Sequence, residues 1–210
     1  GDWNGDGIDD VGVFRAGKFY LDTNGSRSFD SNDGTYTFGT TGDTPIIGDW
    51  NGDGKLDFVG AQSNTDDVGS WMGAGGATFA NARTVKTSPT PLLVISADFD
   101  LDRRPDLAIS CGSGALNTVE ILTGNGDGTF TSTLKIAAGS GPGSILAFDA
   151  NSDGRPDLAV VDGNGQRTML PHTLPQGQTY QQGGNTYAQD AQGTYWRWQG
   201  NGWTRLDAAR

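Results

Sequence analysis

Asp49-Trp50-Asn51-Gly52-Asp53-Gly54-Lys55-Leu56-Asp57 recurs along the chain as Asp2-Trp3-Asn4-Gly5-Asp6-Gly7-Ile8-Asp9-Asp10, as Asp98-Phe99-Asp100-Leu101-Asp102-Arg103-Arg104-Pro105-Asp106 and as Asp149-Ala150-Asn151-Ser152-Asp153-Gly154-Arg155-Pro156-Asp157. The starts lie 47, 49 and 51 residues apart. A fixed period of that length marks a structural repeat. Strand-length apolar runs bracket the loops, as in Pro45–Ile47 before and Leu56, Phe58 and Val59 after, or Leu92–Ile95 before and Leu107–Ile109 after. Further on in each unit come Lys18–Leu21, Ser70–Met72, Thr118–Leu122 and Arg167–Leu170, and then Tyr36–Phe38, Ala77–Phe79 and Gly128–Phe130. Each period therefore holds about four strands separated by Asn-Gly, Asp-Gly and Gly-Gly turns.

No stretch shows the apolar spacing of a helix, so the fold class is all-β. A repeat of ~49 residues with four strands predicts a β-propeller-type array of four four-stranded blades over 1–170. A two-sheet sandwich is the competing architecture. Residues 171–193 are rich in Gln and Gly and read as a connector, and 194–210 read as an aromatic β-hairpin. A loop over Gln199–Gly202 sets Trp198 opposite Trp203 and Arg205 near Trp196.

The 210 residues carry 34 Gly and a formal net charge of −11. Of the 25 acidic residues only Glu120 is a glutamate, and aspartate is the residue of turns and metal loops. That charge argues against nucleic acid as a partner, since phosphate binding needs clustered Lys and Arg. No apolar run reaches the length that crosses a bilayer, so membrane insertion is not expected. Cys111 stands alone, which excludes an intrachain disulfide and reads as a small buried residue. The start Gly1-Asp2-Trp3 has the look of a mature or excised piece.

Within each acidic loop, oxygen side chains fall at positions 1, 3, 5 and 9, with a main-chain carbonyl at position 7. A short loop wraps a hard cation in this way, and calcium takes six to eight such oxygens. The predicted ligands are Asp2, Asn4, Asp6, Ile8 and Asp10; Asp49, Asn51, Asp53, Lys55 and Asp57; Asp98, Asp100, Asp102, Arg104 and Asp106; and Asp149, Asn151, Asp153, Arg155 and Asp157, with Ile8, Lys55, Arg104 and Arg155 acting through the main chain. An EF-hand would need glutamate at position 12, where Val13, Gly60, Ile109 and Val160 stand. Zinc would want Cys or His, and the chain has one of each. Up to four structural calcium ions are expected, with Asp2 fraying at the chain start and Arg103 costing about 1 kcal/mol if its position needs a positive φ.

Gly48–Gly54 with Val59-Gly60-Ala61, and Gly124-Asn125-Gly126-Asp127-Gly128-Thr129-Phe130, resemble the FG-GAP and VCBS repeats of integrin-α-type propellers and of secreted bacterial proteins. The resemblance implies calcium loops that link the first two strands of each blade. Arg103 and Ala61-Gln62 depart from the family pattern. A count of four blades, with no strand before the first loop, leaves two expectations: residues 177–206 lend a strand, or the blades belong to a larger propeller.

No nucleophile elbow or phosphate loop occurs, and His172, between Pro171 and Pro175, reads as a loop residue rather than a catalytic base. Asp66 and Asp67 point apart on a strand. The expected function is a non-enzymatic, secreted bacterial adhesion or binding module at the cell surface, with a glycan or an extracellular protein as partner. Trp71, Trp196, Trp198 and Trp203 are candidate ligand faces because flat aromatic rings stack on sugars. The alternatives are an accessory propeller of a longer secreted polysaccharide- or lipid-degrading enzyme, and a surface filament subunit joined through blade edges.

Overall fold

The computed structural model describes residues 1–80, 82–113, 116–138, 141–149, 154–165, 167–170, 180–182, 185–189, 195–198 and 203–206, with the backbone alone at 113, 116, 137 and from 168 onward. The chain divides into two compact units, Gly1–Val94 with Gly124–Thr131, and Ile95–Thr123 with Ser132–Arg210. Among the described residues there is no helix.

The strands run β1 (Gly12–Arg15), β2 (Lys18–Leu21), β3 (Gly34–Thr37), β4 (Thr44–Gly48), β5 (Asp57–Gln62), β6 (Asp67–Trp71), β7 (Gly73–Gly75), β8 (Thr78–Phe79), β9 (Arg83–Lys86), β10 (Pro91–Ala97), β11 (Asp106–Ser113), β12 (Leu116–Gly124), β13 (Phe130–Ala137), β14 (Pro142–Phe148), β15 (Asp157–Asp162), β16 (Arg167–Leu170), β17 (Tyr180–Gln182), β18 (Asn185–Gln189), β19 (Tyr195–Trp198) and β20 (Trp203–Leu206). They form small meandering sheets in the orders β1-β2-β3, β4-β5-β6-β9, β7-β8, β10-β11-β12-β13, β14-β15-β16 and β17-β18-β19-β20. The acidic loops 49–57, 98–106 and 149–157 join β4 to β5, β10 to β11 and β14 to β15, and loop 2–10 leads into β1.

Four four-stranded blades were expected; the sheets that carry loops 2–10 and 149–157 have three described strands each. Ahead of β1, Gly1 makes a single antiparallel rung: its carbonyl accepts from the Asp10 amide at 2.9 Å and its ammonium donates to the Asp10 carbonyl at 3.2 Å. Gly48 faces Asp57 in the same way at the end of β4. The fourth strand of the second sheet is β9, while Ala77–Phe79 turn into the two-stranded β7-β8 hairpin. Tyr180–Gln189 pairs with the hairpin that follows, so residues 180–206 make a sheet of their own instead of lending a strand. The hairpin register sets Trp198 against Trp203 and Trp196 against Arg205, as the loop length implied.

Aromatic packing holds the first unit together. Trp3, Phe19, Leu21, Phe38, Phe58 and Trp71 form one buried cluster, with Phe14, Tyr36, Leu56 and Phe79 against it. The Trp3 ring stacks on Phe58 at 4.7 Å and 13°, and Phe58 lies 4.0 Å from Phe19 between centroids. Burial of rings of this size dominates core energetics. Trp50 packs edge-on to Phe130 at 6.0 Å. The segment around Gly128 is latched to the second sheet: Ser70 Oγ donates to the Gly128 carbonyl at 2.8 Å and Arg83 Nη1 to the Asp127 carbonyl at 2.6 Å. A Cβ at Gly128 would lie 2.1 Å from Met72 Sδ and φ there is +80°, so any other residue would have to displace the methionine and accept a left-handed backbone. Cys111 is buried.

Candidate metal centres

Each loop is wound by its own aspartates. In the second, Asp49 Oδ1 accepts from the Gly52 and Asp53 amides at 2.8 and 3.0 Å, and Oδ2 from Gly54 at 2.9 Å. Asn51 Oδ1 takes the Asp53 amide and Asp53 Oδ1 the Lys55 amide, at 2.9 and 3.0 Å. The first loop repeats the pattern, with Asp2 holding the amides of Gly5, Asp6 and Gly7 at 2.7, 3.1 and 2.9 Å. Three amides thus bond the Asp2 carboxylate, as they do that of Asp49, with the Gly52, Asp53 and Gly54 amides in place of Gly5, Asp6 and Gly7. In the third loop the Arg103 amide donates to Asp98 Oδ2 at 2.9 Å, and in the fourth Gly154 donates to Asp149 Oδ2 at 2.8 Å. Asn151 and Asp153 lie outside the described residues.

The sixth position is left-handed in every loop: φ is +85° at Gly7, +79° at Gly54, +69° at Arg103 and +83° at Gly154. Arg103 therefore takes the conformation that glycine takes elsewhere, at a cost of about 1–2 kcal/mol. The ninth-position carboxylates Asp10, Asp57, Asp106 and Asp157 are all buried. In three loops this carboxylate closes the turn by accepting the amide of position 2: Trp3 at 3.1 Å, Trp50 at 2.8 Å and Phe99 at 2.7 Å.

The donor set fits a hard cation. Asp10 Oδ1 and Asp98 Oδ1 are buried without a hydrogen-bond partner, and an orphaned buried carboxylate oxygen is costly unless a cation or donor meets it. Oxygens of Asp98, Asp100 and Asp106 lie within 4.8 Å of one another. Burial pushes the Asp57 carboxyl above its ordinary value despite bonds from Gly73 and Trp50, and the charges of Asp53 and Asp49 add to the rise. The Gly7 amide, with those of Gly5 and Asp6, holds Asp2 below its ordinary value. Burial acts to raise Asp53, but the Lys55 amide and ammonium outweigh it and the carboxyl sits low. The residues that would hold calcium are the side chains at positions 1, 3, 5 and 9 with the carbonyl of position 7; the ion would neutralise carboxylates that otherwise repel.

The Asx turn is not confined to these loops. Asp22-Thr23-Asn24-Gly25-Ser26-Arg27 winds identically, with Ser26 donating to Asp22 Oδ1 at 3.2 Å and to Asn24 Oδ1 at 2.8 Å. Arg27 has φ +62°. The ninth residue there, Asp30, is exposed. A buried ninth carboxylate is what separates the four repeat loops from this turn.

Of the aromatic candidates, Trp71 is in the core, lying over Gly60 and Gly69, and offers no face to a ligand. The side chains of Trp196, Trp198 and Trp203, and the whole of His172, lie outside the described residues. Asp66 accepts the Thr90 amide at 2.8 Å and Asp67 pairs with Lys86 at 3.3 Å.

The FG-GAP-like repeat model matches residues 49–109 and again 98–160, two overlapping stretches that each run from one acidic loop into the strand that follows the next. This chain belongs to the FG-GAP-like repeat family. No curated protein sequence matches it. Among solved structures this FG-GAP-like chain is similar to an Agrocybe aegerita lectin described for specific recognition of non-reducing terminal N-acetylglucosamine, at 19% identity and a TM-score of 0.53, covering 76% of this chain and 44% of the lectin. It also overlays BBS1N, solved in complex with ARL6DN, at 13% identity and a TM-score of 0.45, over 76% of this chain and 54% of that one. The chain thus spans under half the length of the lectin, and the likeness concerns the fold.

Proposed function

We propose that this FG-GAP-like chain is a non-enzymatic, calcium-stapled extracellular binding module, that its repeats serve as propeller blades, and that its ligand is a glycan. The observation that carries the calcium part is the buried ninth carboxylate repeated in Asp10, Asp57, Asp106 and Asp157, with an orphaned oxygen on Asp10. Four ions would move the formal charge from −11 to about −3. Calcium of this use is a millimolar, extracellular commodity, which favours a secreted setting over a cytosolic one. The glycan part leans on the lectin of similar fold. The aromatic positions would come from the hairpin β19–β20, in whose register Trp198 pairs with Trp203 and Trp196 with Arg205.

The test is titration calorimetry with calcium followed by glycan-array binding, in calcium, in chelator, and for Trp196→Ala with Trp198→Ala. Saturable calcium uptake, and glycan binding lost both in chelator and in the double variant, support the reading. A chain that takes up no calcium refutes the staple. A folded, calcium-loaded chain that binds no glycan refutes the ligand and leaves an extracellular protein as partner.

A further inference from the structure

The β7–β8 hairpin is anchored to two of the repeat loops at once. At its foot the Gly73 amide donates to Asp57 Oδ1, the ninth-position carboxylate of the second loop, in a buried contact of 2.7 Å. At its tip the Gly76 and Ala77 amides donate to the main-chain carbonyls of Asn4 and Trp3 in the first loop, at 3.2 and 3.0 Å. Asn4 holds the third position there, and the Trp3 amide donates in turn to Asp10 Oδ2, the ninth position of the same loop, at 3.1 Å. All of these residues belong to one compact unit.

The hairpin has little to hold it besides these anchors and its one aromatic side chain. Its strands are three and two residues long, and a two-stranded hairpin of that size is marginal on its own. Its turn runs through three left-handed residues, Gly75 at φ +83°, Gly76 at +59° and Ala77 at +51°, and the last carries a Cβ that disfavours that conformation. Phe79 lies 5.0 Å from Phe58, the residue after Asp57, and 6.1 Å from Trp3, the residue after Asp2. The Tyr36 hydroxyl donates to the Ala77 carbonyl. A seated hairpin thus requires both loops in their wound form, and a loop that unwinds removes one of its anchors.

We propose that the first and second loops take up calcium cooperatively, coupled through the seating of the β7–β8 hairpin, an inference that rests on the reading of these loops as calcium sites. An ion in the second loop fixes Asp57, whose oxygens each keep a lone pair beyond the amide they accept, and with it the Gly73 anchor. The seated tip then holds the Trp3 and Asn4 carbonyls where the wound first loop has them, so the next ion meets ligands already ordered. The ordering entropy is lost once for two ions. Through-space electrostatics acts with the opposite sign, because one bound cation repels another.

The test is a calcium titration of the full 210-residue chain followed by amide-resolved NMR. The Gly7 and Gly54 amides, bonded at 2.9 Å to Asp2 Oδ2 and Asp49 Oδ2, report the two loops separately. Asp53→Asn weakens the second site while keeping an oxygen for the Lys55 amide. Asp102→Asn makes the same change of charge in the third loop, which lies in the other compact unit. The expected result is that Asp53→Asn raises the calcium midpoint of Gly7 as well as that of Gly54, by at least ~5-fold, and that Asp102→Asn does not. Reciprocity requires Asp6→Asn to raise the Gly54 midpoint in turn. Gly73→Ala would bring a Cβ 2.3 Å from the Leu56 carbonyl oxygen, which lifts the foot of the hairpin without removing a ligand. In that background Asp53→Asn should leave the Gly7 midpoint where it is. A Gly7 midpoint that ignores Asp53→Asn, or that Asp102→Asn moves as far, overturns the coupling while the calcium sites stand. If neither amide responds to calcium, the calcium reading falls and the coupling with it. The comparison of Asp53→Asn with Asp102→Asn decides the matter even if Gly73→Ala does not fold.

Discussion

Asp57→Ala separates the two duties the structure gives to a ninth-position aspartate. Both of its oxygens are engaged, Oδ2 by the Trp50 amide at 2.8 Å and Oδ1 by the Gly73 amide at 2.7 Å, and both bonds are buried. Truncation leaves two buried N–H groups unmet, at about 1–3 kcal/mol each, so about 2–6 kcal/mol is lost even when no ion is present. The offset is that a buried carboxylate, raised by its surroundings, no longer has to be kept ionised. Losses nearer the lower end are therefore expected in chelator. In calcium the loss grows, because a ligand goes as well. Urea unfolding of wild type and variant, in chelator and in calcium, gives the two differences directly. A loss below about 0.5 kcal/mol in chelator would show that the carboxylate does not hold the loop closed, and equal losses in both conditions would remove Asp57 from the ligand set.

Asp10→Ala removes one amide contact and one orphaned oxygen, so its calcium-dependent share of the loss should exceed that of Asp57→Ala in the same urea series. Arg103→Gly relieves a left-handed arginine and should raise stability by about 0.5–1 kcal/mol once the extra freedom of glycine in the unfolded chain is counted; a shift to lower urea midpoint would contradict that. Trp71→Ala should cost about 3–5 kcal/mol and leave glycan binding by the folded fraction unchanged, as measured by unfolding and by binding below the transition. Burial raises the Tyr36 phenol, which donates to the Ala77 carbonyl. The unfolded chain then ionises first, so stability contributed by Tyr36 is intact below about pH 10 and declines as the pH rises past that value, and Tyr36→Phe should remove that alkaline decline. Ultraviolet titration of the folded protein should show a phenol ionising above the ordinary tyrosine value that is missing in Tyr36→Phe.

The sequence carried its information unevenly. β2 and β16 were legible to the residue because Lys18–Leu21 and Arg167–Leu170 stand between turn signals. The loops were legible because oxygen side chains in phase leave few other uses. β9 was not, since Arg-Thr-Val-Lys is an edge strand with only one partly buried side chain and so shows no alternation to read. Ala77–Phe79 carried a clearer apolar signal and was given the place of the fourth strand, yet Phe79 is drawn into the aromatic cluster and makes a separate hairpin. The strands β17 and β18 are built from Gln, Asn, Thr and Tyr, a composition that also suits a connector. Trp71 shows the limit for sites: a tryptophan between loops looks the same in a string whether it faces sugar or lies over two glycines, Gly60 on the neighbouring strand and Gly69 on its own.

The tight seat of Met72 against Gly128 has a chemical consequence. Sδ is pressed by a backbone that leaves no space even for a methyl group, in a buried side chain, under a segment latched by Ser70 and Arg83. A thioether becomes a sulfoxide only by gaining an oxygen, and a side chain only 8% exposed gives an oxidant little access while the latch is closed. Peroxide should therefore reach Met72 at the rate at which the latch lets go, and the sulfoxide, once made, should keep the latch from reseating. The oxidation state of a single sulfur would then record how often this corner of the molecule has opened.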